Sequence, residues 1–150
     1  MTLVNRLFHF YWRFSRALTL GVRAVVLDGD GRVFLIKHGY AKGWHLPGGG
    51  VEAGETLPEA MARELWEEGR IELTGPPVLH GIYFHPLYSQ RDHVTIFVVR
   101  DFRQTEKPKP NREIAASGFF PVDALPAETT SGTRARIEEV LGETPSPDRW

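Results

Sequence analysis

The apolar positions fall into short runs separated by turn residues. Gly21–Leu27 (GVRAVVL) and Arg32–Lys37 (RVFLIK) read as strands, and Asp28-Gly29-Asp30-Gly31 between them is a turn signal, so a hairpin is predicted. His38–Gly50 holds glycine at 39, 43, 48, 49 and 50 together with Pro47, and reads as a loop. A helical period then runs from about Leu57 to Glu68. Val78–Phe84 and His93–Phe102 are rich in β-branched and aromatic residues and predict two further strands. Gln104–Arg112 reads as a loop, Gly118–Val122 as a short strand, and Thr133–Leu141 as a last helix stopped by Gly142. This order predicts a single α/β domain with a mixed sheet and helices against it. The chain divides into residues 1–20, a domain over 21–142, and a loose tail over 143–150 whose Trp150 is free to dock.

The first segment has its own pattern. Leu3, Leu7, Tyr11, Phe14 and Leu18 recur at helical spacing, while Arg6, Arg13 and Arg16 interrupt the apolar residues. No stretch approaches the roughly 18 apolar residues of a spanning helix. A secretory signal would need a cleaner apolar region and a small-residue cleavage site. The segment reads as an amphipathic helix packed on the domain or on a second subunit, so a homodimer is one expected partnership. A membrane surface is the sharper alternative.

Composition narrows the classes. At 150 residues the chain is the size of one ordinary domain, and 41% hydrophobic with 25% charged residues is a globular balance. There are no cysteines, which excludes disulfides, thiolate metal sites and cysteine nucleophiles and fits the cytoplasm. Eighteen basic against 19 acidic residues give a formal net charge of −1, which argues against a broad nucleic-acid footprint. Histidines 38, 45, 80, 85 and 93 are scattered without an HxH or HExxH pattern, which argues against zinc.

The chemistry concentrates in the first central helix. Thr56 and Glu59 form a capping box, Pro58 suits the first turn, and Gly69 reads as the stop. Glu64, Glu67 and Glu68 fall within one arc of about 100°. Like charges at these spacings repel by a few tenths of a kcal/mol per pair, and the helix dipole disfavours anions in this half. Magnesium, or manganese, suits such an all-oxygen carboxylate set. A glutamate face bridged by Arg63 or Arg70 would look the same by itself. The preceding Gly48-Gly49-Gly50 changes the balance, because glycine lets backbone approach a ligand closely.

Gly49, Glu55, Arg63-Glu64-Leu65, Glu67-Glu68 and Ile71 stand at the spacing G-x5-E-x7-R-E-U-x-E-E-x-G-U, with U aliphatic. In this the sequence resembles the Nudix hydrolases, with Arg70 where the pattern has its last glycine. The resemblance implies an α/β/α sandwich and magnesium-dependent hydrolysis of a nucleoside diphosphate linked to another group, ADP-ribose and nucleotide sugars among them. It implies that Glu64, Glu67 and Glu68 bind the metal with help from the Gly48 carbonyl. Glu55 and Arg63 then pair to fix the loop that Gly49 opens. Glu64 or Glu67 would accept the proton of the attacking water, or Glu113 would do so from a later loop. Arg23 and Lys37 are expected to reach phosphates, and Tyr40, Trp44 and Tyr83 to stack on a base. Pro86, fifteen residues past the box, resembles a feature of the ADP-ribose-cleaving branch. The rival reading is a Nudix-fold module that senses a nucleotide without cleaving it. Such modules usually lose part of the glutamate set.

Overall fold

A computed structural model describes residues 3–150. The elements are α1 (Leu3–Ser15), β1 (Thr19–Val26), β2 (Arg32–His38), α2 (Leu57–Gly69), β3 (Ile71–Leu73), β4 (Val78–Phe84), β5 (Asp92–Val99), β6 (Phe102–Gln104), β7 (Ile114–Pro121) and α3 (Ser131–Leu141). β5 is central to one sheet, parallel to β1 and antiparallel to β4. β2 pairs antiparallel with β7, and β3 with β6.

The predicted hairpin is corrected by this pairing. β1 and β2 meet only at the turn, through a bridge between Leu27 and Val33. Beyond it a glycine-rich segment enters between them. Ile36 exchanges hydrogen bonds with His45, while Val22 donates to the Gly49 carbonyl and Ala24 to that of Pro47. With β5 on its other edge, β1 has no free edge for β2. The loop therefore lies between two strands that fix its backbone.

Alternate residues of these strands feed two cores. Val22, Ala24, Val26, Phe34 and Ile36 pack with Ala60, Met61 and Leu65 of α2. Val25, Leu27, Val33 and Leu35 pack with Ile137 and Val140 of α3. The result is an α/β/α sandwich with a helix on each face of the mixed sheets.

Other boundaries move for local reasons. The predicted strand His93–Phe102 is split at Arg100-Asp101, where the Asp101 carbonyl accepts from Thr74, and Phe102 starts β6. β7 begins at Ile114 rather than at Gly118. The tail is not loose: Phe84 donates to the Asp148 carbonyl and Trp150 donates back to Phe84, which docks residues 148–150 on β4. Every side chain from Val4 to Leu20 is exposed, so α1 does not pack on the domain as one reading expected.

Candidate active site

α2 forms where the sequence caps it. Thr56 Oγ1 accepts from the Glu59 N–H at 3.3 Å, and Glu59 Oε2 accepts from the Thr56 N–H at 2.8 Å. The helix ends one residue later than predicted. Arg70, not Gly69, is the left-handed residue, at φ 52° and ψ 33°, and its N–H closes onto the Leu65 and Trp66 carbonyls. Gly69 serves packing instead: a Cβ there would lie 2.9 Å from the Phe34 ring.

Two glycines of the inserted loop have separate tasks. Gly48 sits at φ +139°, and a Cβ would overlap the Val22 carbonyl oxygen. Its N–H donates to Glu68 Oε2 at 2.7 Å, and its carbonyl accepts from Arg23 Nη1. Gly49 leaves open the space in which the Glu64 carboxylate lies. The loop backbone and two α2 carboxylates thus touch directly.

Arg63 braces the arrangement. Its Nε and Nη2 donate to the two oxygens of Glu55 at 2.7 and 3.0 Å, Nη2 also reaches the Gly50 carbonyl at 3.0 Å, and Nη1 donates to Glu64 at 2.8 Å. Hydrogen bonds from Arg63 and from the Glu52 N–H hold the Glu55 carboxyl down to about 2. Burial raises Glu64, against the pull of Arg63. Glu68 is only 5% exposed. Burial pushes it up to about 8, although the Gly48 N–H and Arg23 favour its anion; Glu64 and Glu113 add to the rise. Glu67 is exposed and lies 3.6 Å from Arg63 Nη1. Asn111 Oδ1 accepts from the N–H groups of Glu113 and Ile114, both at 2.8 Å, and fixes the loop that carries Glu113.

The donors on this face are oxygens alone: Glu64, Glu67, Glu68 and the Gly48 carbonyl. That set fits a hard divalent cation, and the buried Glu68 carboxylate close to the half-buried Glu64 calls for positive charge. Among the described residues no three carboxylate or imidazole side chains are already gathered into a closed metal site. Arg63 donates to Glu64, and Arg23 donates to the Gly48 carbonyl.

A cavity of about 1320 Å³ opens beside the loop, with Arg23, Gly49 and Gly50 in its wall. It extends to the N-terminal turn of α3, Arg136 and Trp150.

A family model described as NUDIX domain matches residues 17–140. The chain belongs to the NUDIX family. A MutT-like protein of Streptomyces ambofaciens is 42% identical over 62 residues, 38% of this chain and 40% of that protein. An ADP-ribose pyrophosphatase of Methanocaldococcus jannaschii is 36% identical over 111 residues, 69% of this chain and 64% of that one. The chain thus covers less than two thirds of either curated relative. A crystal structure of a MutT NUDIX hydrolase from Burkholderia pseudomallei is 29% identical, with a TM-score of 0.70 over 83% of this chain and 98% of that one.

The NUDIX box residues Gly48, Gly49, Glu55, Arg63, Glu64 and Glu68 come together through hydrogen bonds and close packing. Glu67 lies beside Arg63, and the charge of Glu113 is felt at Glu68, so both border the same face. Arg23 and Tyr40 line the cavity, and the Tyr40 ring stacks on His38 at 4.9 Å. Three expectations are corrected. Tyr83 is fully buried, with its hydroxyl donating to Glu139 at 2.8 Å, and has no face for a base. Trp44 packs edge-on against Phe120 in the α3-side core. Lys37 is paired with Glu128 at 2.6 Å, outside the cavity lining.

Sequence reasoning missed that this NUDIX fold gathers imidazoles and a buried guanidinium around one cavity. His38, His45, His85, His93 and Arg136 all line it. Arg136 is 4% exposed, and its Nε and Nη1 have no hydrogen-bond partner among the described residues. The signal was pairing rather than motif. His93 stands opposite Phe84 in the β4–β5 register, which sets His85 and His93 at one open end.

Proposed function

We propose that this chain is a magnesium-dependent pyrophosphohydrolase acting on a nucleoside diphosphate joined to a second group. One observation carries the reading: the carboxylates of Glu64 and Glu68 are seated against the Gly48-Gly49 backbone, and Gly49 in turn forms part of the wall of a large cavity that Arg23 and Arg136 also line. The cavity suits a polyanion with a planar end. Arg23 stands at the loop side; at the far side Arg136, paired with Glu139 and lying over the Trp150 ring, keeps two N–H-bearing nitrogens without a partner among the described residues, and Tyr40 offers an exposed aromatic ring. The name of the Methanocaldococcus relative makes ADP-ribose the first substrate to try.

Glu64, Glu67, Glu68 and the Gly48 carbonyl would hold the metal, which when bound neutralises phosphoryl oxygens and acidifies water. Arg63 keeps Glu64 aimed at the loop and ties α2 to Glu55 and Gly50. Arg23 would turn from the Gly48 carbonyl toward a phosphate. Glu67 and Glu113 are the exposed carboxylates of this face, and one of them takes the proton of the attacking water. Products are a nucleoside monophosphate and a second phosphorylated fragment.

The test is turnover of a panel of diphosphate-linked nucleotides, ADP-ribose first, with magnesium, with chelator, and with Glu68→Gln. Metal-dependent cleavage that falls at least a hundredfold in the variant is the expected result. Binding without cleavage, equal in variant and wild type, would replace the hydrolase with a nucleotide-sensing module.

A further inference from the structure

The helix α1 has no role in the site just described, and its surface is sharply divided. Val4, Leu7, Tyr11 and Phe14 follow one helical stripe, flanked by Phe8, Phe10 and Trp12, and the exposed Leu18 follows the helix. Arg6, His9 and Arg13 fill the opposite side, and Arg16 directly follows the helix. The apolar arc covers more than half the circumference, and all of it is exposed, with Leu7 at 61%, Phe10 at 65% and Phe14 at 66%, as is Leu18 beyond it at 65%. The ring contacts of Phe8, Phe10, Trp12 and Phe14 are with one another, with His9 and with Arg16 just past the helix.

The helix is not a loose arm. Arg91, in the connection between β4 and β5, donates from Nη1 to the Ala17 carbonyl at 2.9 Å, and its own carbonyl accepts from Thr19 at 3.1 Å. The same connection carries Leu87 and Tyr88, exposed at 67% and 88%, and both line the cavity with Leu20. The segment that follows α1 therefore runs to the cavity rim at Thr19 and Leu20.

Charge selects the occupant. The first acidic residue of the sequence is Asp28, so nothing on this segment answers its three arginines. A second copy of α1 would bring arginines against arginines and would bury only a narrow seam of the wide apolar arc. A bilayer interface accepts a wide arc, seats aromatic rings at headgroup depth, and meets the arginines with phosphate and carboxylate headgroups. At 13 residues the helix is about 20 Å long, too short to cross the roughly 30 Å hydrocarbon core. We infer that α1 lies flat on an anionic phospholipid surface, with Leu7, Tyr11 and Phe14 inserted, Arg6 and Arg13 at the headgroups, and Leu18 and Arg16 of the segment that follows placed beside them. The tie from Arg91 to Ala17 keeps the exposed Leu87 and Tyr88 of the same connection close to the lipid-bound segment. Lipid binding is independent of which diphosphate the site cleaves.

Flotation of the full chain with phosphatidylcholine vesicles, with and without phosphatidylserine, tests this. Three arginines at about fivefold each predict roughly hundredfold stronger partitioning onto the anionic vesicles, weakened by salt. The double variant Leu7→Glu/Phe14→Glu changes only exposed positions. It is expected to lose at least tenfold in partitioning while its circular dichroism melt stays that of wild type. No partitioning of wild type, or equal partitioning of variant and wild type, overturns the inference. So does a dimer, seen by light scattering, that the variant dissolves while vesicles attract neither protein.

Discussion

The Gly48 N–H donates to the Glu68 carboxylate at 2.7 Å across twenty positions of sequence, and this is the stitch between the glycine loop and α2. The same carboxylate is buried, which holds its pKa up at about 8 against an ordinary 4.5. Between those values the folded chain keeps a proton that the unfolded chain has released, so stability falls as pH rises through the window. Urea unfolding of chelated protein followed by circular dichroism should give midpoints that decline from about pH 5 to pH 8. Glu68→Gln should remove most of that slope. A slope unchanged in the variant would show that another group titrates.

Gly49→Ala should separate activity from stability. No positive φ constrains Gly49, but its new Cβ would displace the Glu64 carboxylate. Because a side chain can yield, the expected stability change is under about 1 kcal/mol, with kcat/KM for the cleaved nucleotide down at least tenfold. Gly48→Ala should behave differently. It meets the Val22 carbonyl at a φ of +139° and should cost about 2 kcal/mol or more in urea unfolding.

Arg70→Gly should stabilise. A non-glycine residue in the left-handed region costs about 1–2 kcal/mol, and glycine loses about 0.5–1 kcal/mol through its freer unfolded chain. Arg70 recovers a little through its guanidinium over the Trp66 ring at 5.2 Å. The net expectation is a gain of about 0.5 kcal/mol, read as a higher urea midpoint with unaltered turnover. A loss would mean that the Trp66 contact outweighs the backbone strain.

Tyr83→Phe should lower stability and spare the reaction. It removes the hydrogen bond to Glu139, which Arg136 also engages, at a cost of about 1–2 kcal/mol. KM should be unchanged, because the ring lies in the α3-side core. Tyr40→Ala provides the contrast: the ring is 74% exposed in the cavity wall, and KM should rise severalfold with no change in melting. A raised KM in Tyr83→Phe would return that residue to the site.

What the sequence made legible is what its neighbours decide. The capping box spans Thr56 to Glu59, the aligned glutamates lie within two turns, and the Glu55–Arg63 pair closes across eight positions. Tertiary placement was not legible. Tyr40 and Tyr83 are the same residue type in aromatic surroundings; the docking of α3 and of the tail's Trp150 against β4 seals one of them. Gly69 and Arg70 show two demands in competition. Packing against Phe34 claims the glycine at 69, and the left-handed turn falls on the arginine. The glycine loop resembled a connection between elements, and its place between β1 and β2 depended on hydrogen bonds that no local pattern announces.

The parallel pairing of β1 with β5 sets Thr19 opposite Asp92, seventy-three positions away, and β1 is also the strand that grips the glycine loop. The two halves of the site are therefore assembled on different clocks. α2 needs only short-range closure and can bring its glutamates into line early, whereas the strand that supports their partner closes one of the chain's long loops. A refolding experiment should see helical signal return before the protein acquires affinity for a divalent ion. Any ligand that prefers the finished site would then act mainly on the late step, slowing its reversal rather than hastening the early collapse.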